Sequence, residues 1–313
     1  MAEQKKVAVI GGSGQIGYGL SKALLKLNHE VVAVSRKRGV TNEAKLTELE
    51  RLGAVVKECG DYADIDSLTG ILKGCDTVVV AMRANAKMIR QVEPRILEAA
   101  VNAGAKRFVP DEFGCHTLLI DYGDGTLFDA KKDLHQKIFK SGMDWTFIYN
   151  GVIFDYMVPN FRMWDKITTF GDVNIELTTH DLGDIVTIAA MAVTDDRTVN
   201  KAVQISANKV TQAGMIEKLQ KNWPDRITDI DHISSEEIID KKVNSDPDKI
   251  SAKGGFEPDQ ERYGINYVVY VIGKLFGENR SDTLLAQELY PDYKFKTPEE
   301  AMKDVAFVFG EQP

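Results

Sequence analysis

The sequence lacks several features that would place it in other classes of protein. It contains only three cysteines, Cys59, Cys75 and Cys115, which cannot all pair within one chain and show no spacing typical of metal ligands. It has no apolar run near the roughly 18 residues that span a membrane, and residues 1–6 lead into a strand without a signal-peptide pattern. We therefore expect a cytoplasmic protein with reduced thiols, no metal and no membrane partner.

The sequence is also short of positive charge. It has 39 lysines and arginines against 47 aspartates and glutamates, which gives a formal net charge of −8. Nonspecific binding to nucleic acids depends on clustered basic residues, so we expect no nucleic-acid partner. A composition of 43% hydrophobic and 27% charged residues is ordinary for a globular enzyme. The chain is long enough to bury a large core, while its oligomeric state, monomer or homodimer, stays open.

The most informative segment is a glycine-rich turn near the start. An apolar strand at 7–10 leads into Gly11, Gly14 and Gly17, which are spaced GxxGxxG where a helix begins. In a dinucleotide site these glycines permit a tight turn, admit the pyrophosphate and let helix and strand pack closely, and the helix N-terminus favours the phosphates. The alternative is a plain turn that binds nothing. The predicted cofactor contacts here are Gly11, Ser13, Gly14, Gln15 and Ile16.

The end of the second predicted strand indicates which dinucleotide binds. An NAD site usually has an acidic residue there for the ribose 2′-hydroxyl, but this chain reads Ser35, Arg36, Lys37 and Arg38. Cations suit a 2′-phosphate, so we predict NADPH, with Arg36 as the first phosphate contact and Lys37 as the second. The alternative is a solvated basic loop.

Farther along the chain, predicted strands and helices alternate. Strands at 55–58, 77–81, 107–110 and 145–149 are separated by helices at 65–72, 87–102 and 129–140. This order predicts an α/β fold of Rossmann type, a doubly wound parallel sheet with helices on both faces. Ligands bind beyond the carboxyl ends of such strands, so we assign Met82 and Arg83 to the cofactor.

The alternation weakens beyond about residue 155. We predict a helix at 182–192, a strand at 202–206, a helix at 211–221 and a charged, strand-poor stretch at 236–261. The expected division is an NADPH-binding domain over 1–155 and a smaller, mainly substrate-binding domain over 156–313, with the strand near 202–206 rejoining the main sheet. Asp181 and Asp184 are interpreted as caps of the helix that begins there, rather than as a catalytic carboxylate pair.

A catalytic proton carrier is not obvious, because the YxxxK pair of many short-chain dehydrogenases is absent where it should fall. At about 100° per residue, Phe128, Leu134, Ile138 and Phe139 form one apolar stripe of the helix at 129–140, and Lys131 lies near its middle. A lysine in a desolvated pocket has a lowered pKa and can exchange protons near neutral pH. The alternative is a lysine whose stem lies along the edge of the core.

Four segments of the chain are similar to the motifs of one known family. GGSGQIG at 11–17 is similar to GGTGxxG, KRFVPDEFG at 106–114 to KRFxPSEFG, DDRTVNK at 195–201 to DDPRTLNK, and LYPDYKF at 289–295 to LYPDVKY. The chain thus resembles the isoflavone reductase family, the NmrA-like atypical short-chain dehydrogenases that include pinoresinol-lariciresinol reductases, phenylcoumaran benzylic ether reductases and phenylpropene synthases. The resemblance implies NADPH as hydride donor, an aromatic or phenolic substrate, and Lys131, in the family's FxxK motif, as general acid/base. We also count Lys131 among the predicted cofactor contacts.

The sequence departs from the family around the predicted substrate pocket, which we assign to Phe113, His116, Gly151 and Phe154. Plant members have SSNCF where this chain reads YNGVIF at 149–154, and Cys115 and His116 follow FG where an acidic residue is common. His116 is either a second proton carrier or a loop histidine, and Cys115 is interpreted as an inert buried thiol. Two other functions stay open: an NmrA-like redox sensor that binds NADP(H) without turnover, and a quinone reductase.

Overall fold

The structure, a computed structural model, describes residues 3–62, 64–162, 166–251, 256–277 and 280–311. Its strands are β1 (Lys6–Ile10), β2 (Glu30–Ser35), β3 (Val55–Glu58), β4 (Thr77–Val80), β5 (Arg107–Val109), β6 (Asp144–Tyr149), β7 (Val152–Ile153), β8 (Ile167–Phe170), β9 (Leu177–His180), β10 (Lys201–Gln204), β11 (Lys209–Val210), β12 (Ile230–Ile233) and β13 (Thr283–Leu285).

The α-helices follow the strands in chain order. They are α1 (Gln15–Lys26), α2 (Glu43–Arg51), α3 (Ile65–Leu72), α4 (Ala86–Gln91), α5 (Glu93–Asn102), α6 (Thr126–Ser141), α7 (Phe154–Met157), α8 (Leu182–Thr194), α9 (Gln212–Asn222), α10 (Ser235–Asn244), α11 (Asp259–Tyr270), α12 (Ala286–Leu289), α13 (Pro298–Lys303) and α14 (Val305–Phe309).

Eight strands form one parallel sheet in the order β13-β10-β6-β5-β4-β1-β2-β3. The strand order reverses at β1, and in such sheets the crevice outside the carboxyl ends at this point binds ligands. Valine and isoleucine fill β1 and β4 because both faces of these strands are buried. The predicted doubly wound parallel sheet is confirmed.

Helices cover both faces of this sheet. One apolar core lies between the sheet and α3, α4, α5 and α6, and a second lies between the sheet and α1, α2, α8 and α12. A third core joins α9, α10, α11, α13 and α14 to two small sheets, β11-β9-β7 and β12-β8. The candidate site therefore lies at the carboxyl edge of the main sheet, with the third core beside it.

Several predicted elements differ from the structure. The helix expected at 87–102 is two helices, α4 and α5, because Pro94 near the start of α5 has no N–H and cannot continue the hydrogen-bond ladder of α4. Phe139, placed in the buried stripe, has 43% of its surface exposed.

The strand expected at 202–206 is β10, which pairs with β6 in the main sheet. The division at residue 155 stays a prediction.

The two aspartates at the start of α8 have different roles. Asp181 caps the helix by accepting a 2.8 Å hydrogen bond from the amide of Gly183. Asp184 is buried and accepts hydrogen bonds from the Tyr293 hydroxyl and the Lys296 amide, each 2.8 Å long. Asp184 therefore fixes the C-terminal segment to α8 and does not cap the helix.

Candidate functional site

The glycine-rich turn is held in a conformation that only glycine fits. Gly11 has a φ of +84°, and a Cβ built on it would lie 2.5 Å from the carbonyl oxygen of Ala81. A Cβ on Gly17 would lie 2.2 Å from the carbonyl oxygen of Gly11. The amides of Gly11 and Gly12 both donate to the carbonyl oxygen of Val34 over 2.9 Å, which fixes the turn against β2.

The first turn of α1 is suited to bind an anion. Its N-cap, Gly14, has no side-chain oxygen, no side chain of the described residues caps this end, and no acidic residue lies in the first turn. The free amides and the helix dipole then favour a phosphate group. The residues present therefore fit the pyrophosphate of a dinucleotide, with Gln15 exposed and Ile16 half-buried at the start of the helix.

The carboxyl end of β2 favours a 2′-phosphate. The Ser35 hydroxyl, in place of a carboxylate, is hydrogen-bonded to the Ser13 hydroxyl over 2.9 Å. Arg36 and Lys37 are exposed beside it. Arg38, in contrast, pairs with three carboxylates, those of Glu43, Glu50 and Glu58. Arg38 therefore stabilises the local structure, while Arg36 and Lys37 are exposed at the end of β2 and stay the predicted phosphate contacts.

Sequence reasoning missed a further cation at this end of the site. Lys45 lies on α2, and its ammonium is 3.5 Å from the carbonyl oxygen of Ser13 and 5.5 Å from the centre of the Tyr18 ring. The helical spacing of Leu46 and Leu49, both fully buried, could have indicated α2 and the side of the helix that carries Lys45.

Met82 and Arg83 follow β4 next to the turn. The hypothetical Cβ of Gly11 would lie 3.2 Å from the Cα atom of Met82, so the two loops are in contact. The Arg83 guanidinium lies 5.4 Å from the centre of the Phe256 ring. At the end of this loop, where α4 begins, Glu261 of α11 accepts the Ala86 amide with both carboxylate oxygens, at 3.1 and 3.0 Å. The C-terminal part thus contacts the predicted cofactor loop.

Lys131 points into the protein, as predicted, with 7% of its surface exposed, whereas Lys137 and Lys140 on the same helix are exposed. Its ammonium donates a 2.6 Å hydrogen bond to the carbonyl oxygen of Glu112 and lies 3.8 Å from Oε2 of the same residue. An ammonium carries three N–H donors. The backbone bond therefore orients Lys131 and leaves N–H groups for a ligand.

Glu112 is the buried counter-ion of this lysine. Burial raises its pKa, but the charge of Lys131 and the contact with His135 more than offset this effect, so the pKa lies below its usual value. The His135 ring nitrogen Nε2 and the Thr117 hydroxyl each lie 2.6 Å from a carboxylate oxygen of Glu112. Glu112 is thus ionised and held in place from three sides.

The four residues predicted to bind substrate are in different surroundings. Phe113 is half-buried and has a φ of +25°, a strained value for a non-glycine residue of the kind found at functional sites. Gly151 has a φ of +66° and donates its amide to the carbonyl oxygen of Gly114 over 3.1 Å, so the two loops touch. Phe154, however, has no exposed surface and packs in the third core.

His116 and Cys115 are buried between β6 and the C-terminal part. The His116 ring stacks on Tyr149 with 4.2 Å between centroids, and its Nε2 lies 3.0 Å from the Thr283 hydroxyl. Burial lowers the pKa of His116 to about 4 and raises that of the Cys115 thiol to about 12. Within the described residues, the recorded partners of the His116 ring do not include Lys131, so its role as a proton carrier stays a prediction.

One contact across the candidate cleft had no signal in the sequence. The Tyr156 hydroxyl of α7 donates a 3.1 Å hydrogen bond to the side-chain oxygen of Gln15 on α1. Tyr156 also lines a cavity of about 80 Å³ between α7, β8 and α9, whose lining does not include Lys131 or Phe113. This small cavity is therefore separate from the predicted substrate pocket.

Among the residues that the structure describes, no helix is both long and apolar enough to cross a bilayer. In the same ranges, no group of three or more histidine, cysteine, aspartate or glutamate side chains is arranged to hold a metal ion.

A glycine-rich turn that fits a pyrophosphate, a basic end of β2 and an inward lysine on α6 are the features of an NADPH-dependent oxidoreductase of Rossmann fold. The sequence profile of the NmrA-like family matches residues 3–302, so the chain belongs to that family. A curated relative, the bifunctional pinoresinol-lariciresinol reductase of Thuja plicata, is 28% identical over 325 residues, which cover 97% of this chain and 99% of the relative.

Solved structures agree with the fold. The crystal structure of an isoflavone reductase superposes with a TM-score of 0.81 at 24% identity and covers 96% of this chain and 99% of its own. The structure described as AtPrR2 with NADP+ and (+)pinoresinol also gives 0.81, at 25% identity, and covers 98% of this chain and 100% of its own. The resemblance to this family is thereby confirmed.

Proposed function

We propose that this protein reduces a small aromatic or phenolic compound with a hydride from NADPH, and that Lys131 is its general acid/base. The observation that carries the proposal is the buried ammonium of Lys131, oriented by the Glu112 carbonyl oxygen at the carboxyl edge of the sheet. The relatives support the substrate class, because one is a pinoresinol-lariciresinol reductase and another a phenylcoumaran benzylic ether reductase.

Binding of the cofactor falls to this chain's own groups. The amides at the start of α1 and the Ser13 hydroxyl would hold the pyrophosphate, and Arg36, Lys37 and Lys45 the 2′-phosphate. The cofactor supplies a hydride when it is bound. Gly11 and Gly17 let the turn pack closely against the loop after β4 and against the start of α1, since a side chain at either position would meet backbone atoms.

Proton transfer falls to Lys131. With one N–H fixed on the Glu112 carbonyl oxygen, another can donate to a phenol or carbonyl oxygen of the substrate. The lysine would protonate the product as the hydride adds to an enone or quinone-methide carbon, or would take the proton of a phenol in the reverse sense. Phe113, half-buried beside Glu112, would provide apolar contact to the aromatic ring.

The test is NADPH oxidation, followed at the nicotinamide absorbance, against coniferyl-type esters, lignans, isoflavones, aromatic ketones and quinones. Lys131→Ala should lower turnover at least about 100-fold and keep NADPH affinity, measured by calorimetry. Lys137→Ala, which removes an exposed lysine of the same helix, should change neither.

Two results would contradict the proposal. Undiminished turnover in Lys131→Ala would remove the lysine from the mechanism. Tight NADPH binding without oxidation by any compound of the panel would favour a redox sensor that binds the cofactor without turnover.

A further inference from the structure

Two buried acidic residues, Glu93 and Asp111, meet at the carboxyl edge of the sheet, beside the segment that holds Lys131. Glu93, the first residue of α5, has no exposed surface, and Asp111, just after β5, has 9%. The Asp111 amide donates to Oε2 of Glu93 over 3.3 Å. Oε1 of Glu93 is buried and has no hydrogen-bond partner among the described residues. Helix α5 runs back to the start of β5, so its first residue meets the end of that strand.

The charges around this pair do not balance if both groups are ionised. The charges of Lys131 and Glu112 act on both residues, and the charge of Asp111 acts on Glu93 as well. Glu112 already pairs with Lys131 and accepts bonds from His135 and Thr117. Two adjacent buried carboxylates without a cation of their own cannot both stay charged.

The pKa values of Glu93 and Asp111 agree with this balance of charges. Burial raises the pKa of Asp111 to about 7, and the charge of Lys131 only partly offsets that effect. Burial, followed by the neighbouring Asp111, raises the pKa of Glu93 well above its usual value. Near neutral pH the pair therefore holds one proton between its two members.

We propose that Glu93 and Asp111 share one proton and return it to Lys131 after each turnover. This inference rests on the proposed function, in which Lys131 is the general acid. Asp111 is the member that exchanges with water, since Glu93 is sealed. Both are positioning residues that act through Lys131.

The proton balance of the step is simple. The Nζ–H bond of Lys131 breaks as the proton goes to the reduced substrate, which leaves a neutral amine. The O–H bond of the Asp111 carboxyl then breaks, and its proton passes through a bridging water molecule to form a new N–H bond on Lys131. Water then returns a proton to the pair, so each turnover consumes one proton and one hydride.

A purely structural role would not require two acids. An amide or hydroxyl side chain could accept the Asp111 amide as well as Glu93 does, and it would avoid the cost of burying a charge. The unpartnered Oε1 of Glu93 indicates that hydrogen bonding to the protein alone does not explain this side chain.

The first experiment detects the shared proton spectroscopically, without any turnover. Infrared difference spectra of wild type minus Glu93→Gln, and of wild type minus Asp111→Asn, are recorded at pH 6 and pH 9. Burial also raises the pKa of Glu261 to about 7, so Glu261→Gln is introduced into the wild-type reference as well as into both variants, and its carboxyl band cancels in each difference. We expect a carboxylic acid band at pH 6 that is weaker at pH 9, because Asp111 ionises between these pH values. Absence of the band in both differences would overturn the shared proton.

The second experiment tests whether the shared proton supports turnover, by steady-state kinetics with a substrate found in the panel. Glu93→Gln and Asp111→Asn should each lower kcat at least about 10-fold at pH 6 and leave the KM for NADPH unchanged, and Asp111→Asn should also remove a pH limb near 7. Glu98→Gln, an exposed glutamate of the same helix, is the matched control and should have no effect. A lower kcat with an unchanged pH profile would make the pair structural and overturn its role as a proton source.

The two arms separate this inference from the proposed function. If Lys131→Ala stays active, the lysine mechanism fails whatever the infrared spectra show. If Lys131→Ala is inactive and the kcat of Glu93→Gln equals that of wild type at every pH, the proposed function stands. The role of Glu93 and Asp111 as a proton source for Lys131 is then overturned.

Discussion

Glu112 contacts the ammonium of Lys131 with both its backbone and its side chain. The ammonium lies 2.6 Å from the Glu112 carbonyl oxygen and 3.8 Å from its carboxylate. The contact with the carbonyl oxygen orients the ammonium, and the contact with the carboxylate compensates its positive charge. Because β5 ends just before Glu112, the rigid main sheet determines where the lysine of α6 can point. Geometry of this kind positions a catalytic group better than a loop does.

Removal of the Glu112 charge should therefore destabilise the fold. In Glu112→Gln the buried ammonium loses its counter-ion, and breaking such a pair costs about 3 kcal/mol or more. We expect that loss in the free energy of unfolding by urea at pH 7. Asp133→Asn, at an exposed position of α6, is the control and should change stability by less than about 0.5 kcal/mol. A loss equal to that of the control would show that Lys131 does not need this carboxylate.

The basic end of β2 should distinguish NADPH from NADH. Arg36→Ala and Lys45→Ala should each weaken NADPH binding about 10-fold, since a hydrogen bond to a charged group contributes roughly 1.5–3 kcal/mol. Affinity for NADH, which has no 2′-phosphate, should stay as it is in wild type. Calorimetric titration with both cofactors measures this ratio.

Arg38→Ala is the matched control for the phosphate contacts. Its guanidinium already pairs with Glu43, Glu50 and Glu58, so its loss should leave both affinities unchanged. Should Arg38→Ala weaken NADPH as much as Arg36→Ala does, the assignment of the phosphate to Arg36 is wrong.

Features set by local pattern were predictable from the sequence. Helix α3 and strand β3 lie at their predicted bounds, and the inward direction of Lys131 follows from the period of its apolar neighbours. Helix α2 was missed, and Lys45 with it. The break between α4 and α5 was missed as well, although Pro94 was a local signal for it.

Contacts between distant segments were not predictable. Tyr156 and Gln15 are 141 residues apart in sequence, and Glu261 and Ala86 are 175 apart. Such pairs depend on how the third core packs on the main sheet, which no periodicity of a single segment encodes. For the same reason Phe154, assigned to the pocket by its motif, is found inside that core.

Glycine-to-alanine substitution should be harmful at Gly17, at the start of α1, and favourable at Gly70, on α3. Gly17→Ala places a Cβ 2.2 Å from the Gly11 carbonyl oxygen, so α1 must move away from β1 and NADPH binding should fall sharply. Gly70→Ala, on an exposed position of α3 with no atom within 4 Å, should raise stability by roughly 0.5–1 kcal/mol. Thermal unfolding and NADPH titration of both variants provide the comparison, and normal NADPH affinity in Gly17→Ala would contradict it.

His180 should make stability depend on pH in a defined direction. Its ring has no exposed surface; Nδ1 lies 2.7 Å from the Asn150 carbonyl oxygen, and Nε2 accepts the Asn208 amide over 3.3 Å. The ring is therefore neutral, with its proton on Nδ1. Burial lowers the pKa of His180 to about 4, and a second proton would have to displace the Asn208 amide.

In the unfolded chain the same histidine titrates near its ordinary pKa of about 6.5. The unfolded state thus binds more protons between about pH 6.5 and pH 4, and the stability present above pH 6.5 is lost as the pH falls through this window. The expected loss is about 3 kcal/mol. Asp111 works in the opposite direction, because its raised pKa favours the folded state at low pH. The measurement is therefore the difference in unfolding free energy between wild type and His180→Gln, at pH 7 and at pH 4.5. The wild-type advantage should shrink as the pH is lowered, and an advantage equal at the two pH values would show that His180 does not titrate between the folded and unfolded states.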